Sequence, residues 1–239
     1  MAYGIKLLIW GDYASFNRPE MKVERVSYDV ITPSAARGIL EAIYWKPEMS
    51  WVVDKLRILN PIRFTHIRRN EVDCKISTKN ITSAMRTGEG NLGIAVEGHR
   101  QQRAAMILKD VRYGIEAHVE VLKLEPKDGK SIENPEAKHL RQFKDRTQKG
   151  GYFHHPYLGT REFPANFRLV EEFPACHESL RGEQDLGYML HDIVFVRDPK
   201  GKIIESNRGY RLKAEPHFFQ VTMRDGVINV RSLMWGGET

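Results

Sequence analysis

Tyr44 closes an apolar run with helical spacing, His118 sits on the polar side of an alternating run, and Lys46 and Lys109 lie close to them in sequence. These side-chain types suit one reaction without help from a metal. A ribose 2′-hydroxyl attacks its own phosphate while one group helps remove its proton, another protonates the leaving 5′-oxygen, and a cation offsets charge on the crowded phosphorus. The ordinary alternatives are a tyrosine at the edge of a core and a surface histidine. Spacing alone leaves these readings open.

A second concentration is GGYFHHPYLGTREFPANF, residues 150–167, with two adjacent histidines, five aromatics, three glycines and an Arg-Glu pair. Neighbouring residues on a strand point to opposite faces, and no carboxylate-histidine spacing of a zinc site surrounds His154-His155, so no metal site is expected there. The favoured reading is a shaped loop, with Gly159 permitting a turn and Arg161-Glu162 anchoring it through a charge-assisted pair.

A third group is basic. Arg68, Arg69, Lys75 and Lys79 flank an apparent loop, Arg100 and Arg103 follow it, and Arg18 and Arg37 lie nearer the N-terminus. Such residues bind phosphates without reading sequence and make affinity salt-dependent, although they also suit a solvated surface. The chain's 37 Lys and Arg against 31 Asp and Glu give a formal charge of +6, which favours a polyanionic partner. No Walker loop, GxGxxG turn, HExxH helix, nucleophile elbow or RNP strand is present, so nucleotide hydrolysis, acyl transfer and base stacking in the usual RRM manner lack support. No cofactor is expected.

These residues need elements to hold them. Residues 3–10 read as a buried first strand, with Gly11 and Asp12 ending it. Thr32 as N-cap and Pro33 at the first position open a helix that buries Ala36, Ile39, Leu40 and Ile43 and closes at Lys46-Pro47. One long or two consecutive strands follow over residues 51–72, then a long loop or loose hairpin over 73–99. Tyr113, Ile115, Ala117 and Val119 share one strand face, with His118 on the other. A charged helix starts at Asn134-Pro135. Beyond Gly150 the pattern is mostly β, with a strand, turn and strand over 192–206 and a hairpin turning at Asp225-Gly226.

With 239 residues and 41% hydrophobic content the chain can bury a real core. The fold expected is α+β: a ferredoxin-like (RAMP/RRM-like) module over 1–122, carrying the 73–99 insertion, and a smaller antiparallel β-sheet domain over 123–239. Cys74 and Cys176 lack CxxC or Cys-His spacing, no stretch approaches a membrane span, and no cleavable leader is visible. A reducing, cytoplasmic setting is expected, with no membrane partner.

Residues 4–45, IRRNEV (67–72), RQQRAAMILKDVRYGIEAH (100–118) and HHPYLGTREFPANF (154–167), taken together and in order, resemble the CRISPR-associated Cas five family in the d-variant of type I-C systems. The resemblance implies a RAMP-type endoribonuclease that cuts precursor CRISPR RNA at the repeat hairpin, leaving a 2′,3′-cyclic phosphate. It also implies a subunit that keeps the 5′ handle in a surveillance complex with other subunits. The family's site is a tyrosine after the first helix plus an adjacent Lys-His pair in a later strand. Tyr44 and His118 fit the tyrosine and histidine, but Ala117 stands where the lysine is expected, so Lys46 or Lys109 would supply the cation. Two alternatives stay open: a handle-binding subunit that does not cut, and a metal-dependent nuclease acting on duplex DNA.

Overall fold

The computed structural model describes residues 4–21, 23–121, 134–195 and 214–230. The first strand, β1, runs over Gly4–Ala14, so Gly11 and Asp12 do not end it. Gly11 has a different purpose. A Cβ there would lie 2.6 Å from the Leu158 side chain and 3.1 Å from the Pro164 carbonyl oxygen, so its lack of a side chain lets a later loop lie against the strand.

After the two-residue β2 (Arg25–Val26), the helix α1 spans Pro33–Ile43. The Thr32 hydroxyl accepts the Ala35 amide at 3.2 Å, and Ala36, Ile39, Leu40 and Ile43 are buried as their spacing demands. Tyr44 leaves the helix in an extended conformation. β3 (Met49–Ile58) and β4 (Phe64–Val72) are separate strands, divided by a turn containing Asn60-Pro61.

The 73–99 segment is not merely a loop. It holds the helix α2, Thr78–Thr87, ended by Gly88 at φ 73°, and a short 3₁₀ turn over Val96–Gly98. α2 buries no residue and is rich in threonine, so neither a core face nor helix propensity announces it in the sequence. The strand β5 then runs unbroken over Arg100–Val121 and is the spine of the molecule. Its first part pairs with β4 and, in parallel, with β2. Its second part lies between β1 and β3, both antiparallel.

The helix α3 (Pro135–Gln148) starts at Asn134, whose side-chain oxygen accepts the Ala137 amide at 3.1 Å, and buries His139, Leu140, Phe143 and Thr147. β6 (Asn166–Leu169) then adds to β1. β7 (Glu183–Phe195) and β8 (Ala214–Arg224) pair antiparallel, and the expected turn at Asp225-Gly226 leads into β9 (Val227–Asn229). β9 joins β3, giving one sheet of order β6-β1-β5-β3-β9-β8-β7 that draws strands from both sides of position 122 in the sequence. The strand and turn expected beyond Phe195, over 196–206, lie outside the described residues. Among the described residues no helix is long and apolar enough to cross a membrane.

Candidate functional site

Directly opposed residues on neighbouring strands share a face. His118 opposes Val52 of β3, whereas the adjacent Val119 opposes Trp51. The Trp51 indole donates to the Tyr44 carbonyl at 2.9 Å and packs edge-on against Phe143 of α3, which fixes the helix-covered face. His118 therefore projects to the other face. There its Nδ1 lies 2.8 Å from the Asp54 carboxylate, at a β-bulge between Val53 and Lys55, and its Nε2 lies 3.6 Å from Glu120. An Nδ1–H donated to Asp54 leaves Nε2 with its lone pair, the tautomer of a general base held in position.

His118 lines a cavity of about 310 Å³. β9 covers only Lys55–Arg57 of β3, and the cavity reaches around the strand edge beyond it to Pro33, Ser34 and Arg37 of α1 and to His191 and Asp192 of β7. Arg37 Nη2 donates to Asp192 at 2.9 Å, Nη1 makes a second bond to the same carboxylate, and Nε lies 3.4 Å from Glu41. Burial holds the His191 imidazole below the ordinary histidine range, with Asp192 opposing and Arg37 and His217 reinforcing that shift.

Tyr44 occupies a different setting. Only 2% of it is exposed. Its hydroxyl donates to Gln142 Oε1 and meets His139 Nδ1 at 2.9 Å, both on α3, and the Arg146 guanidinium lies 5.3 Å over its ring. Burial raises the phenol, as does the Glu48 charge, with Arg146 opposing. Burial also lowers His139, with Glu48 opposing and Lys138 and Lys46 reinforcing. Tyr44 and His118 thus lie on opposite faces of the sheet. Lys109 is on β5 with His118, nine steps of about 3.3 Å away, roughly 25–30 Å. Lys46, two residues from Tyr44, lines a separate cleft and not the cavity of His118.

That cleft, of about 1050 Å³, lies between the C-terminal end of α1 and the 152–164 loop. Trp45, Phe153 and Tyr157 line it with 50%, 73% and 38% of their surfaces exposed. Lys46, Arg161, His154 and His155 line it too. The loop is firmly held. The amides of Phe153 and His154 both donate to the Ala42 carbonyl, at 2.9 and 3.0 Å, and Leu158 and Ser15 are joined through their main chains at 3.0 Å. Gly159, at φ 87°, would place a Cβ 2.0 Å from the Ser15 carbonyl oxygen. The turn expected at Gly159 is present, but the anchor differs: Glu162 takes Arg69 of β4 as its partner, not Arg161. The reason is reach across the fold, which adjacency in sequence does not reveal.

The eight candidate phosphate-binding residues divide into two groups. Arg18 pairs with Asp29 at 3.1 Å, Arg37 with Asp192, Arg69 with Glu162 and Arg103 with Glu71 at 3.8 Å. Arg68, Lys75, Lys79 and Arg100 are exposed and have no ion pair among the described residues. The β4–β5 register explains the division: Arg68 opposes Ala104 and Arg100 opposes Val72, on one face, while Arg69 and Arg103 oppose each other on the other, beside Glu71. At the neck of this excursion Asp73, Cys74 and His99 bring their donor atoms within 4.8 Å, and His99 Nδ1 bonds Asp73 at 2.9 Å. No sequence spacing links Cys74 to His99; strand pairing brings them together. Asp54 and His191 carry no motif in the sequence either: one is an aspartate at a bulge, the other a histidine on a distant strand.

Residues 4–231 match the family described as CRISPR-associated protein (Cas_Cas5), in its Cas5d form. A protein of Mannheimia succiniciproducens is 48% identical over 235 residues, 96% of each chain, and one of Thermus thermophilus is 42% identical over 234 residues, 95% of this chain and 90% of its own. Both are named CRISPR pre-crRNA endoribonuclease Cas5d. A crystal structure of a CRISPR-associated protein superposes with a TM-score of 0.61 at 23% identity, covering 98% of this chain and 95% of that one. A functionally uncharacterized Streptococcus mutans protein superposes at 0.59 with 21% identity, covering 94% and 90%. These two share the fold, a mixed α/β architecture on a mostly antiparallel sheet. The class is thus that of the CRISPR-associated Cas5 proteins. Within it, the chain belongs to the Cas5d family.

Proposed function

We propose that the protein is a precursor CRISPR RNA endoribonuclease that cuts the repeat hairpin by metal-independent attack of a 2′-hydroxyl and then retains the 5′ handle beside other subunits of a type I-C surveillance complex, in the cytoplasm. The relatives' names support the substrate. The observation that carries the mechanism is the Asp54–His118 pair opening on a cavity. His118 Nε2 takes the 2′-hydroxyl proton as O2′ bonds to phosphorus. The P–O5′ bond breaks, the 5′-oxygen takes a proton from water while His118 returns its own to solvent, and the products are a 2′,3′-cyclic phosphate and a 5′-hydroxyl. Arg37 is the cation nearest to hand, since it lines the same cavity and Lys46 and Lys109 do not. Tyr44 has a structural part in this reading: its hydroxyl ties the end of α1 to α3.

In the same reading the strands β6-β1-β5-β3, with α1 joining β1 to β3 and α3 lying between β5 and β6, form a ferredoxin-like βαββαβ module. Such a module extends through β6, past residue 122, and β7–β9 form the smaller antiparallel part.

The test incubates the protein with its own repeat RNA in EDTA, beside the same RNA carrying one 2′-deoxy substitution at the cut. Cleavage of the first alone is expected, and His118→Ala should lower its rate by about 10²–10⁴-fold while RNA binding survives. Binding without cleavage of either RNA would replace the enzyme with a handle-holding subunit. Cleavage restored only by divalent ions, on duplex DNA as well, would replace it with a metal-dependent nuclease.

A further inference from the structure

The mechanism above makes no use of the largest cleft among the described cavities. It joins three exposed aromatics, Trp45, Phe153 and Tyr157, to the cations Lys46 and Arg161. Apolar rings left in water beside one another need a reason. Their support is rigid: two successive loop amides bond the Ala42 carbonyl, Tyr152 packs edge-on against His155 at 4.8 Å, and Arg146 donates to the Ile43 carbonyl at 3.0 Å. The rings are therefore held before any partner arrives, so little ordering entropy opposes binding.

Flat exposed rings interleaved with cations match a chain of flat bases joined by phosphates. A duplex hides the faces of its bases, whereas unpaired nucleotides offer them. Among the described lining residues the one acidic side chain, Glu41, is turned toward Arg37, 3.4 Å away, so the free charge that these residues give the cleft is positive. We propose that this cleft binds unpaired nucleotides flanking the repeat hairpin, with Trp45 and Phe153 stacking on bases and Lys46 and Arg161 contacting phosphates. The proposal rests on the RNA substrate proposed above but not on the cutting step.

The experiment measures binding by fluorescence anisotropy in EDTA, with two labelled RNAs: the repeat hairpin with its single-stranded flanks and the same hairpin trimmed of them. The doubly substituted Trp45→Ala/Phe153→Ala protein should bind the flanked RNA about 10- to 100-fold more weakly, and the trimmed RNA as before. Trp45→Phe/Phe153→Tyr keeps both rings and should retain most of the affinity, which separates stacking from loss of fold. Unchanged binding of both RNAs would overturn the proposal and leave the rings to a protein subunit. Equal weakening of both would overturn it as well. The cleavage assay is read separately: a protein that prefers flanked RNA through this cleft but never cuts keeps the cleft and loses the nuclease, and cutting by the ring-less variant at saturating RNA bears on the nuclease alone.

Discussion

The β4–α2–β5 excursion and the loop between α3 and β6 both present basic residues to solvent, and they are built in opposite ways. α2 buries nothing, and a Cβ on Gly88 would meet no atom within 4 Å. The α3–β6 loop is fixed by main-chain bonds to α1 and to Ser15 just past β1, and a Cβ on Gly159 would strike the Ser15 backbone at 2.0 Å. The excursion offers exposed charge without a shaped surface, which suits phosphates. The loop offers a fixed shape, which stacking on bases requires. Paired substitutions would break or sharpen this contrast. Gly159→Ala combines a positive φ with overpacking and should cost about 3 kcal/mol, lowering the melting temperature by about 10 °C. Gly88→Ala should cost about 1–2 kcal/mol of local α2 stability only, leaving the melting temperature nearly unchanged. Equal shifts in a thermal melt would show the two regions to be equally constrained.

A second comparison lies within the β4–β5 hairpin. Removing the exposed Arg68 and Arg100 together should reduce the slope of log affinity against log salt by about 1.5–2, weakening RNA binding across sequences. Arg69→Ala instead leaves Glu162 without its partner, because the Arg69 side chain is only 15% exposed and already paired. Because Glu162 is exposed and hydrates once unpaired, the effect should be a loss of at most about 1 kcal/mol in stability with the salt slope unchanged. A salt titration with both variants separates phosphate contacts from structural ones, and a changed slope for Arg69→Ala would erase the distinction.

Much of the scaffold can be read from the sequence because local chemistry dictates it. Thr32-Pro33 marks the start of α1, Asn134-Pro135 that of α3, and Asp225-Gly226 the β8–β9 turn, each through a cap or turn that operates within a few residues. α2 was not legible because nothing packs on it. The site was less legible still. The sequence identifies His118 as lying on the polar side of its strand, but only register places Asp54 beside it and Tyr44 beneath the opposite face. Counting charges likewise marks Arg18, Arg37, Arg69 and Arg103 as phosphate ligands, whereas their acidic partners come from elsewhere in the fold or from across a turn.

A further effect is expected at the Tyr44–His139 seam, between the end of α1 and α3. Tyr44→Phe removes a hydroxyl bonded to both His139 and Gln142 and should cost about 1–2 kcal/mol with cleavage nearly unchanged. The same seam carries a pH dependence. His139 is held below its ordinary range, so the unfolded chain binds a proton there more readily than the folded one. Stability from this group is therefore fully present above the ordinary value near 6.5 and is lost as pH falls from there toward the lowered folded value. The facing groups set its size: Glu48, 3.9 Å from Nε2, favours the charged ring, while Lys138 and Lys46 oppose it. Melting temperatures at pH 7.5 and 5.5 should fall less for His139→Gln than for the unaltered protein. An identical fall in both would remove His139 from the account and assign the acid sensitivity to other groups, among them His191, which burial also holds low.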